Sequence, residues 1–431
     1  MAKEWRNWAG DQSCRPARIE TPASRGELVD AVVRAREQGL SVRAAGEGHS
    51  FTGAACTDGV LLDLGRLDRI LEVDREAGRV KVEAGIGLGR LNEAIWGYGL
   101  ALENLGDIDH QTISGAVSTG THGTGSRFRN ISSQIEALEM VLPDGTLFDL
   151  TAESDPEALL AARIGLGTLG IIATITLRTV PAFTISRVDS PLPLAETLER
   201  IGDLADGSDH FEFYVFPHTQ TALLRQSERT DEQPRPRNPV VRFGTDVVAE
   251  NWMFGAIARL GRRSPSRIPR LAKFVSGRLG NSTTVDRSYR VYASERRIRF
   301  TEMEYAIPRR DAAEAVRRAL EAAERAEAGV GFPIEVRFVA GDQAMLSPAH
   351  ERDSCYIAVH QYRGMAWEGY FRSVESIMDE YGGRPHWGKR HFQTAETLAE
   401  RYPRWQDFQA LRARLDPDGR FRNEYTDRVL G

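Results

Sequence analysis

The sequence predicts an α+β protein with two domains, and three observations lead to this fold class. The chain has 431 residues, which is more than one compact hydrophobic core usually supports. Residues 1–180 combine short strands, short helices and glycine-rich segments, whereas residues 181–385 alternate long strands with long helices. The last segment, residues 386–431, is expected to return to the first domain.

The first domain is predicted to begin with a helix that is followed by two strands. Apolar residues recur at helical spacing from Ser24 to Gln38, with Ser24 as the N-cap. Alternating or apolar runs at Leu40–Ala44 and Val60–Leu64 predict strands. The remaining predicted elements are hairpins at residues 70–84 and 135–150, a short helix within residues 85–99 and a buried strand at residues 167–177.

The second domain is predicted to contain an antiparallel sheet with helices on one face. Its alternating strands lie at residues 210–216, 300–306, 334–338 and 354–360. A helix is expected from Arg310 to Ala328 and a mobile surface loop from Arg225 to Pro239. A local group of basic residues is interpreted as a solvated face; its members are Arg262, Arg263, Arg267, Arg270 and Lys273.

Composition and charge exclude several classes of protein. With 41% apolar residues, 27% charged residues and a formal net charge of −5, the chain has no electrostatic basis for binding nucleic acid. Three cysteines argue for a reducing compartment rather than a disulfide framework. No secretory signal and no run of about 18 apolar residues is seen. A cytoplasmic protein is expected, and a peripheral membrane contact stays open.

A short glycine-containing loop follows the first predicted strand. It runs Gly46-Glu47-Gly48-His49-Ser50. Because glycine has no Cβ, its backbone N–H groups can approach an anion closely, which suits a diphosphate. The loop differs from the dinucleotide fingerprint of a Rossmann unit, whose third glycine lies in an opening helix. Taken alone, a hairpin-like turn with a solvent-facing histidine is the better interpretation.

A second glycine-rich segment favours the anion-binding interpretation over the simple turn. Residues 111–125 contain four glycines, six hydroxyl side chains and one histidine. Glycine and β-branched residues disfavour an amphipathic helix, so a buried loop is expected. Such a loop offers many hydrogen-bond donors and little bulk, which fits a backbone wrapped around a flat, phosphate-bearing cofactor.

Together the two segments resemble the paired cofactor-binding segments of the vanillyl-alcohol oxidase flavoproteins. Within these, the sequence is most similar to the aldonolactone oxidoreductases, with alditol oxidase a close second. The resemblance implies an FAD-binding domain of the PCMH type and an antiparallel-sheet α+β cap domain over it. The cofactor contacts that it implies are Ala45, Gly46, Glu47, Gly48, His49, Ser50, Ser114, Gly115, Val117, Ser118, Thr121, His122, Gly125, Ile172 and His391.

Glu335 and Arg337 form the first candidate catalytic group. Because strand side chains alternate, both point to the same face of a predicted strand. If that face is buried, both charges must be paired or hydrogen-bonded. An ordinary salt bridge on a solvent face would explain the pair equally well, but the resemblance implies contacts with substrate and flavin.

The run from Arg384 to His391 holds the second candidate group. It resembles the His-Trp-x-Lys motif of the aldonolactone oxidoreductases, although His386 also fits a purely structural role. The resemblance implies that Lys389 lies near the reacting hydroxyl. Burial beside Arg337 is expected to lower the pKa of Lys389, so that it can assist deprotonation.

His49 has three competing roles: a covalent tether to the flavin, a non-covalent loop contact or a bystander. The resemblance implies the tether, while related flavoproteins that hold FAD without a bond keep the second role open. His122 is interpreted as a structural or cofactor-contact residue. No metal site is predicted, because no cluster has metal-ligand spacing in the sequence.

The function implied by the resemblance is FAD-dependent oxidation of a sugar-derived 1,4-lactone of the gulono-, galactono- or arabinono- type. The implied reaction transfers a hydride from a carbinol carbon to the flavin N5. Two alternatives remain: an alditol oxidase acting on xylitol- or sorbitol-type polyols, and a flavin-binding protein without turnover. The electron acceptor is left open between O2 and a cytochrome or quinone.

Overall fold

The computed structural model describes residues 4–236, 259–293 and 298–431. Five β-sheets lie in these ranges. Their strands are β1 (Trp5–Arg6), β2 (Ser13–Cys14), β3 (Arg18–Glu20), β4 (Val42–Ala45), β5 (Val60–Asp63), β6 (Ile70–Asp74), β7 (Arg79–Glu83), β8 (Leu100–Ala101), β9 (Ile135–Val141), β10 (Leu147–Thr151), β11 (Ile171–Arg178), β12 (Val180–Pro181), β13 (Thr184–Pro193), β14 (His210–Val215), β15 (Thr221–Thr230), β16 (Ser282–Arg287), β17 (Phe300–Pro308), β18 (Ile334–Val339), β19 (Ser354–Tyr362) and β20 (Arg384–Pro385).

Helices connect these strands and close the chain. The α-helices are α1 (Arg25–Glu37), α2 (Leu88–Gly97), α3 (Ile113–Ser118), α4 (Pro156–Ala162), α5 (Leu194–Glu199), α6 (Ile201–Asp206), α7 (Ile268–Ser276), α8 (Ser288–Tyr292), α9 (Ala312–Arg325), α10 (Glu368–Glu380), α11 (Ala395–Ala399), α12 (Trp405–Leu415) and α13 (Glu424–Leu430). Short 3₁₀ turns lie at Gly53–Ala55, Ile131–Gln134, Pro265–Arg267 and Arg309–Asp311. Within the described ranges, no helix combines the length and the apolar character needed to cross a membrane.

The first part of the chain forms two sheets around one hydrophobic core. Strands β3, β5 and β4 pair in parallel, and an antiparallel sheet has the order β10-β9-β11-β7-β6. Helix α1 starts where predicted, because the Ser24 side chain accepts a hydrogen bond from Glu27 N. Trp387 and Phe421, from the C-terminal segment, are fully buried in the same core. The proposed boundaries after residues 180 and 385 stay a prediction.

The second part is an antiparallel eight-stranded sheet with the order β16-β13-β15-β14-β18-β19-β17-β20. Alternation gives this sheet two different faces. Apolar side chains such as Met303, Tyr305 and Val336 lie in a core together with α9 and α10. Their neighbours Glu302 and Glu304 point to the opposite face, where they are also buried. The sheet therefore presents a buried polar face, and the fold class predicted from the sequence is confirmed.

The second glycine-rich segment was predicted as a loop, and this prediction is wrong for residues 113–118. They form helix α3, whose N-cap residue Thr112 accepts a hydrogen bond from Gly115 N. Ile113, Ala116 and Val117 are buried on one side of it. Over such a short stretch, the cap and the burial outweigh the low helix propensity.

The predicted mobile loop from Arg225 to Pro239 is also wrong in its first part. Strand β15 continues to Thr230 and lies between β13 and β14. Arg225 donates to Asp189 at 3.1 Å and to Glu212 at 3.0 Å. A charge that suggests a solvated loop is thus neutralised inside the sheet. Residues 237–239 lie outside the described residues.

Candidate active site

The glycine loop at residues 46–50 directly follows β4 and lies against the second glycine-rich segment. A Cβ on Gly46 would lie 2.2 Å from Thr112 Oγ1, so only glycine allows the two segments to approach this closely. Gly48 has φ +69°, which also favours glycine. None of the N–H groups of residues 46–50 donates to another group in the described part of the chain. Consecutive free N–H groups form a site for an anion such as a diphosphate.

The second segment adds further donors at the same place. Ser114 and Gly115 lie in the first turn of α3, and Gly115 is exposed. The N–H groups of residues 122–124 have no acceptor within the described ranges, while Gly125 N donates to Phe338 O at 2.7 Å. This last bond fixes the segment to β18 of the polar sheet. The donor set and the close approach at Gly46 fit an extended dinucleotide cofactor.

His49 is the fourth residue of the glycine loop, and its side chain is half-buried. Its ring stacks on Trp8, with 5.3 Å between the ring centroids. Burial and then the positive charges of His110 and Lys389 lower the pKa of His49 to about 4. The imidazole is therefore neutral at pH 7 and keeps a nitrogen lone pair.

Arg337 is the centre of a buried ionic cluster. Its Nε donates to Glu212 Oε2 at 2.9 Å, and its Nη2 lies 3.3 Å from Asp107 Oδ2 and in contact with Glu335 Oε1. Tyr214 OH lies 3.0 Å from Glu335 Oε1 and 2.9 Å from Glu212 Oε1, and its one proton can be donated to either carboxylate. Burial alone would lower the pKa of Arg337, but the charges of Glu335, Asp107 and Glu212 raise it well above its ordinary value. The guanidinium is fixed in place and permanently charged.

Lys389 belongs to a second ionic cluster on the same face. Its Nζ donates to Glu302 Oε2 at 2.5 Å, and His360 Nε2 lies 3.5 Å from the other oxygen of Glu302. The expected lowering of the Lys389 pKa is wrong: burial has that effect, but the charges of Glu302 and then Glu304 outweigh it and raise the pKa. The reason is that carboxylates, rather than Arg337, surround the ammonium. Lys389 therefore already carries its proton at neutral pH.

His122, Glu304 and His386 form a third cluster that sequence spacing did not reveal. One possible ligand atom from each lies within 4.8 Å of the others. However, His386 Nδ1 accepts a hydrogen bond from Gly388 N at 3.0 Å, so the proton of the neutral ring is on Nε2. His122 places Nδ1 2.9 Å from Gly123 O and Nε2 3.2 Å from Glu304 Oε1. Since both nitrogens of His122 face oxygen acceptors, the geometry favours a histidine–carboxylate contact over a metal centre.

Four further residues predicted for the site belong to none of these three clusters. Val117 and Thr121 are buried within the second segment, and Ile172 is buried on β11. His391 does not face the ionic clusters directly; its Nε2 lies 3.0 Å from Tyr425 OH, and its ring packs edge-on against Trp387.

Of the carboxylates that hold the cationic groups, sequence reasoning identified Glu335 and missed Glu212, Glu302, Glu304 and Asp107. Glu212, Glu302 and Glu304 interrupt otherwise apolar, alternating strands, and this isolated polarity was the available signal. Asp107 gave no such signal, because it lies in a loop whose position depends on the whole fold.

Comparison with known proteins agrees with this architecture. Residues 16–151 match the FAD binding domain family, which identifies FAD as the cofactor, and residues 175–429 match the D-arabinono-1,4-lactone oxidase family. The chain is 51% identical to L-gulono-1,4-lactone dehydrogenase of Mycobacterium tuberculosis over 100% of both chains. It is 33% identical to L-gulonolactone oxidase of Mus musculus, covering 99% of this chain and 98% of the relative.

A solved structure of a solvent-stable cholesterol oxidase has the same fold. It superposes with a TM-score of 0.83 at 19% identity and covers 99% of this chain and 97% of its own. The resemblance inferred from the two glycine-rich segments is confirmed by these matches. Since the matched family segment spans more than half of the chain, the protein belongs to the D-arabinono-1,4-lactone oxidase family of aldonolactone oxidoreductases.

Proposed function

We propose that this protein uses FAD to oxidise a carbinol carbon of a sugar-derived 1,4-lactone of the gulono-, galactono- or arabinono- type. The observation that carries the proposal is the buried polar sheet face. It holds two fixed cations, Arg337 and Lys389, next to the glycine-rich segments. A carrier that only binds flavin has no need of such charges, whereas an oxidoreductase needs donors for an oxygen-rich substrate. The names of the relatives support lactones as that substrate.

Each side chain has a defined part in this proposal. When bound, FAD supplies the two-electron acceptor. Arg337 and Lys389 donate hydrogen bonds to substrate oxygens and stabilise negative charge that develops on the reacting oxygen. Because Lys389 is already protonated, it acts as a donor rather than as the initial base. Glu302, which is hydrogen-bonded to the same ammonium, stabilises its charged form and, with a pKa lowered to about 2, does not take up the hydroxyl proton.

The test measures flavin bleaching under anaerobic conditions after addition of a lactone. The wild-type protein should bleach, and Glu335→Gln and Arg337→Lys should slow bleaching by about 100-fold or more, since each loses a preorganised contact. Their FAD content should change little. Arg270→Lys makes the arginine change at an exposed position and serves as the control. Wild-type rates in both site variants would reject the assignment.

The same assay separates the alternative substrates. Bleaching by xylitol or sorbitol at rates equal to those with lactones would favour an alditol oxidase. Reoxidation of the reduced protein by O2, compared with reoxidation by a cytochrome or a quinone, identifies the electron acceptor. The three free cysteines support a reducing compartment, and a cytoplasmic location is part of the proposal.

We also propose that FAD is bonded covalently to His49. The neutral imidazole, fixed on Trp8 at the end of the glycine loop, supports this role, because only a ring with a free lone pair can form the bond. After acid precipitation, the yellow colour should stay with wild-type protein and leave with the supernatant of His49→Ala. Colour released from the wild-type protein would reduce His49 to a non-covalent contact.

A further inference from the structure

Helix α7 and the residues on either side of it form a strongly basic part of the surface. Residues 259–281 contain seven arginine or lysine residues and no aspartate or glutamate, although the whole chain has a formal net charge of −5. All seven side chains are exposed, and none of them forms an ion pair within the described ranges. We call this group the basic surface; its members are Arg259, Arg262, Arg263, Arg267, Arg270, Lys273 and Arg278.

The inner side of α7 explains how the helix is held, and it leaves the cations free. Ile268 is buried, and Ile268, Leu271 and Val275 line an apolar cavity whose opposite wall includes Phe332. A spacing of three or four residues places these apolar side chains on one face of the helix. The apolar face therefore anchors α7 to the protein, while its exposed cations contribute no contact to the core.

Two exposed apolar side chains lie within the basic surface. Phe274 is 51% exposed, more than any other large apolar side chain in the described part of the chain, and Leu260 is 39% exposed. The Arg278 guanidinium lies over the Phe274 ring, with its carbon 3.6 Å from the ring centroid. An aromatic ring surrounded by cations is typical of a surface that lies at the boundary between lipid headgroups and acyl chains.

The combination of charge and apolar exposure distinguishes between possible partners. A face that meets only solvent usually mixes both signs of charge, whereas seven cations without an acid attract an anionic partner. A nucleic acid or an acidic protein would match the charge but would leave Phe274 and Leu260 without an apolar environment. An anionic lipid bilayer offers phosphate groups and acyl chains at the same surface, so it satisfies both features.

We propose that the basic surface binds the anionic face of a lipid bilayer, with Phe274 inserted between the headgroups. The contact is peripheral, since the cations face lipid phosphates and no helix within the described ranges can cross the membrane. The cytoplasmic leaflet of a membrane is the anionic one, which agrees with the location proposed above. This inference goes beyond the proposed function and does not depend on it.

The experiment measures co-sedimentation of the purified, FAD-loaded protein with lipid vesicles. Vesicles of phosphatidylcholine with about one third phosphatidylglycerol should bind about fivefold more protein than phosphatidylcholine alone at about 0.05 M salt, and most of this binding should be lost at about 0.5 M salt. Arg270→Glu combined with Lys273→Glu should reduce binding about tenfold or more. Phe274→Ser, which keeps every cation, should reduce binding about threefold.

Arg66→Glu combined with Arg75→Glu is the matched control. It makes the same change in net charge at two exposed turn positions of the first domain and should bind anionic vesicles within about twofold of the wild-type protein. The ratio of flavin to protein absorbance reports whether each variant is folded.

Equal binding of the wild-type protein to both kinds of vesicle overturns the proposal, as does an equal loss of binding in the control. Full binding by Phe274→Ser would assign the basic surface to a soluble acidic macromolecule, which also overturns the membrane contact. None of these outcomes depends on lactone oxidation, so the proposed function is tested separately.

Discussion

The protonation of Lys389 depends on its carboxylate neighbours. Glu302 lies on β17 and is 4% exposed, and Arg390 N donates to Glu302 O at 2.9 Å, which aligns the lysine segment with the strand. Burial alone would raise the pKa of Glu302, but Lys389 and then His360 lower it to about 2. The pair is therefore ionised over the physiological range, and the carboxylate stabilises the ammonium form of Lys389.

Replacing Glu302 should shift the pH dependence of the enzyme's activity. In Glu302→Gln the ammonium loses its charged partner, so the pKa of Lys389 should fall by about one unit or more. If protonated Lys389 is the active form, the alkaline limb of kcat/KM against pH should move to lower pH by the same amount.

Glu396→Gln, an exposed acid in α11, is the control for the pH profile and should leave the alkaline limb in place. An unchanged limb in Glu302→Gln would show that this carboxylate does not set the protonation state of the active form. A lower rate at every pH, without a shift, would point to a structural role instead.

At the scale of single residues, the sequence could predict which face of a strand a side chain occupies but not which groups it contacts. The period of two along β18 places Glu335 and Arg337 on one face, and the structure agrees. Their partners Glu212 and Asp107 come from segments more than 100 residues away. No local pattern encodes such pairs, which is also why the carboxylates around Lys389 were not foreseen and its pKa was predicted in the wrong direction.

At the scale of elements, the cofactor cradle depends on the contact between the glycine loop and helix α3. Gly46 lies against Thr112, the N-cap residue of α3. Thr112 therefore both caps the helix and contacts the glycine loop. Propensity alone argued against α3, and glycine spacing alone allowed a simple turn at residues 46–50. Each segment is specified by the other, and for this reason neither could be predicted in full from its own residues.

A methyl group at Gly46 should therefore separate the two segments. In Gly46→Ala the new Cβ would overlap Thr112 Oγ1, and the loop and helix must move apart. We expect the purified variant to contain less than about half of the wild-type FAD, measured as the ratio of flavin to protein absorbance, because the diphosphate site loses its preorganisation.

The matched control is Gly97→Ala at the end of helix α2, where an added Cβ meets nothing within 4 Å. That change should leave the FAD content as in the wild-type protein and slightly favour the helix. If Gly46→Ala also keeps its full FAD content and its affinity for added FAD, the close approach of the two segments is not needed for cofactor binding.

At the scale of the whole molecule, distant segments converge on buried polar groups. The Arg43 guanidinium donates to the carbonyl oxygens of Ala54, Leu166, Gly167 and Phe421. Sequence reasoning treated Arg43 only as part of a strand. The two-domain α+β class, by contrast, follows from strand and helix periodicity that repeats along the chain, and so it could be predicted.

Buried histidines make the stability of the fold depend on pH. His210 Nδ1 lies 2.7 Å from Thr124 O, and Tyr292 OH lies 2.8 Å from Nε2, so the neutral ring satisfies both contacts. Burial lowers the pKa of His210 to about 4 and that of His386 to about 3. Histidine in the unfolded chain titrates near 6.5. Between these values the unfolded state binds more protons than the folded state, so stability falls as the pH falls.

The melting temperature should therefore decrease from about pH 6.5 towards pH 4, before the paired carboxylates are protonated. Glu212 and Glu302 have pKa values of about 2 in the folded protein, because Arg337 and Lys389 respectively outweigh the effect of burial. Their stabilising contribution is complete above the pKa of a glutamate in the unfolded chain, near 4.3, and is lost only between there and about pH 2.

Thermal unfolding followed across this range in His210→Gln should show a shallower decrease of the melting temperature between pH 6.5 and 4. His218→Asn, in a loop where the backbone has φ +66°, should keep the wild-type slope. Equal slopes in His210→Gln and the wild-type protein would show that the burial of this histidine does not control the acid sensitivity of the fold.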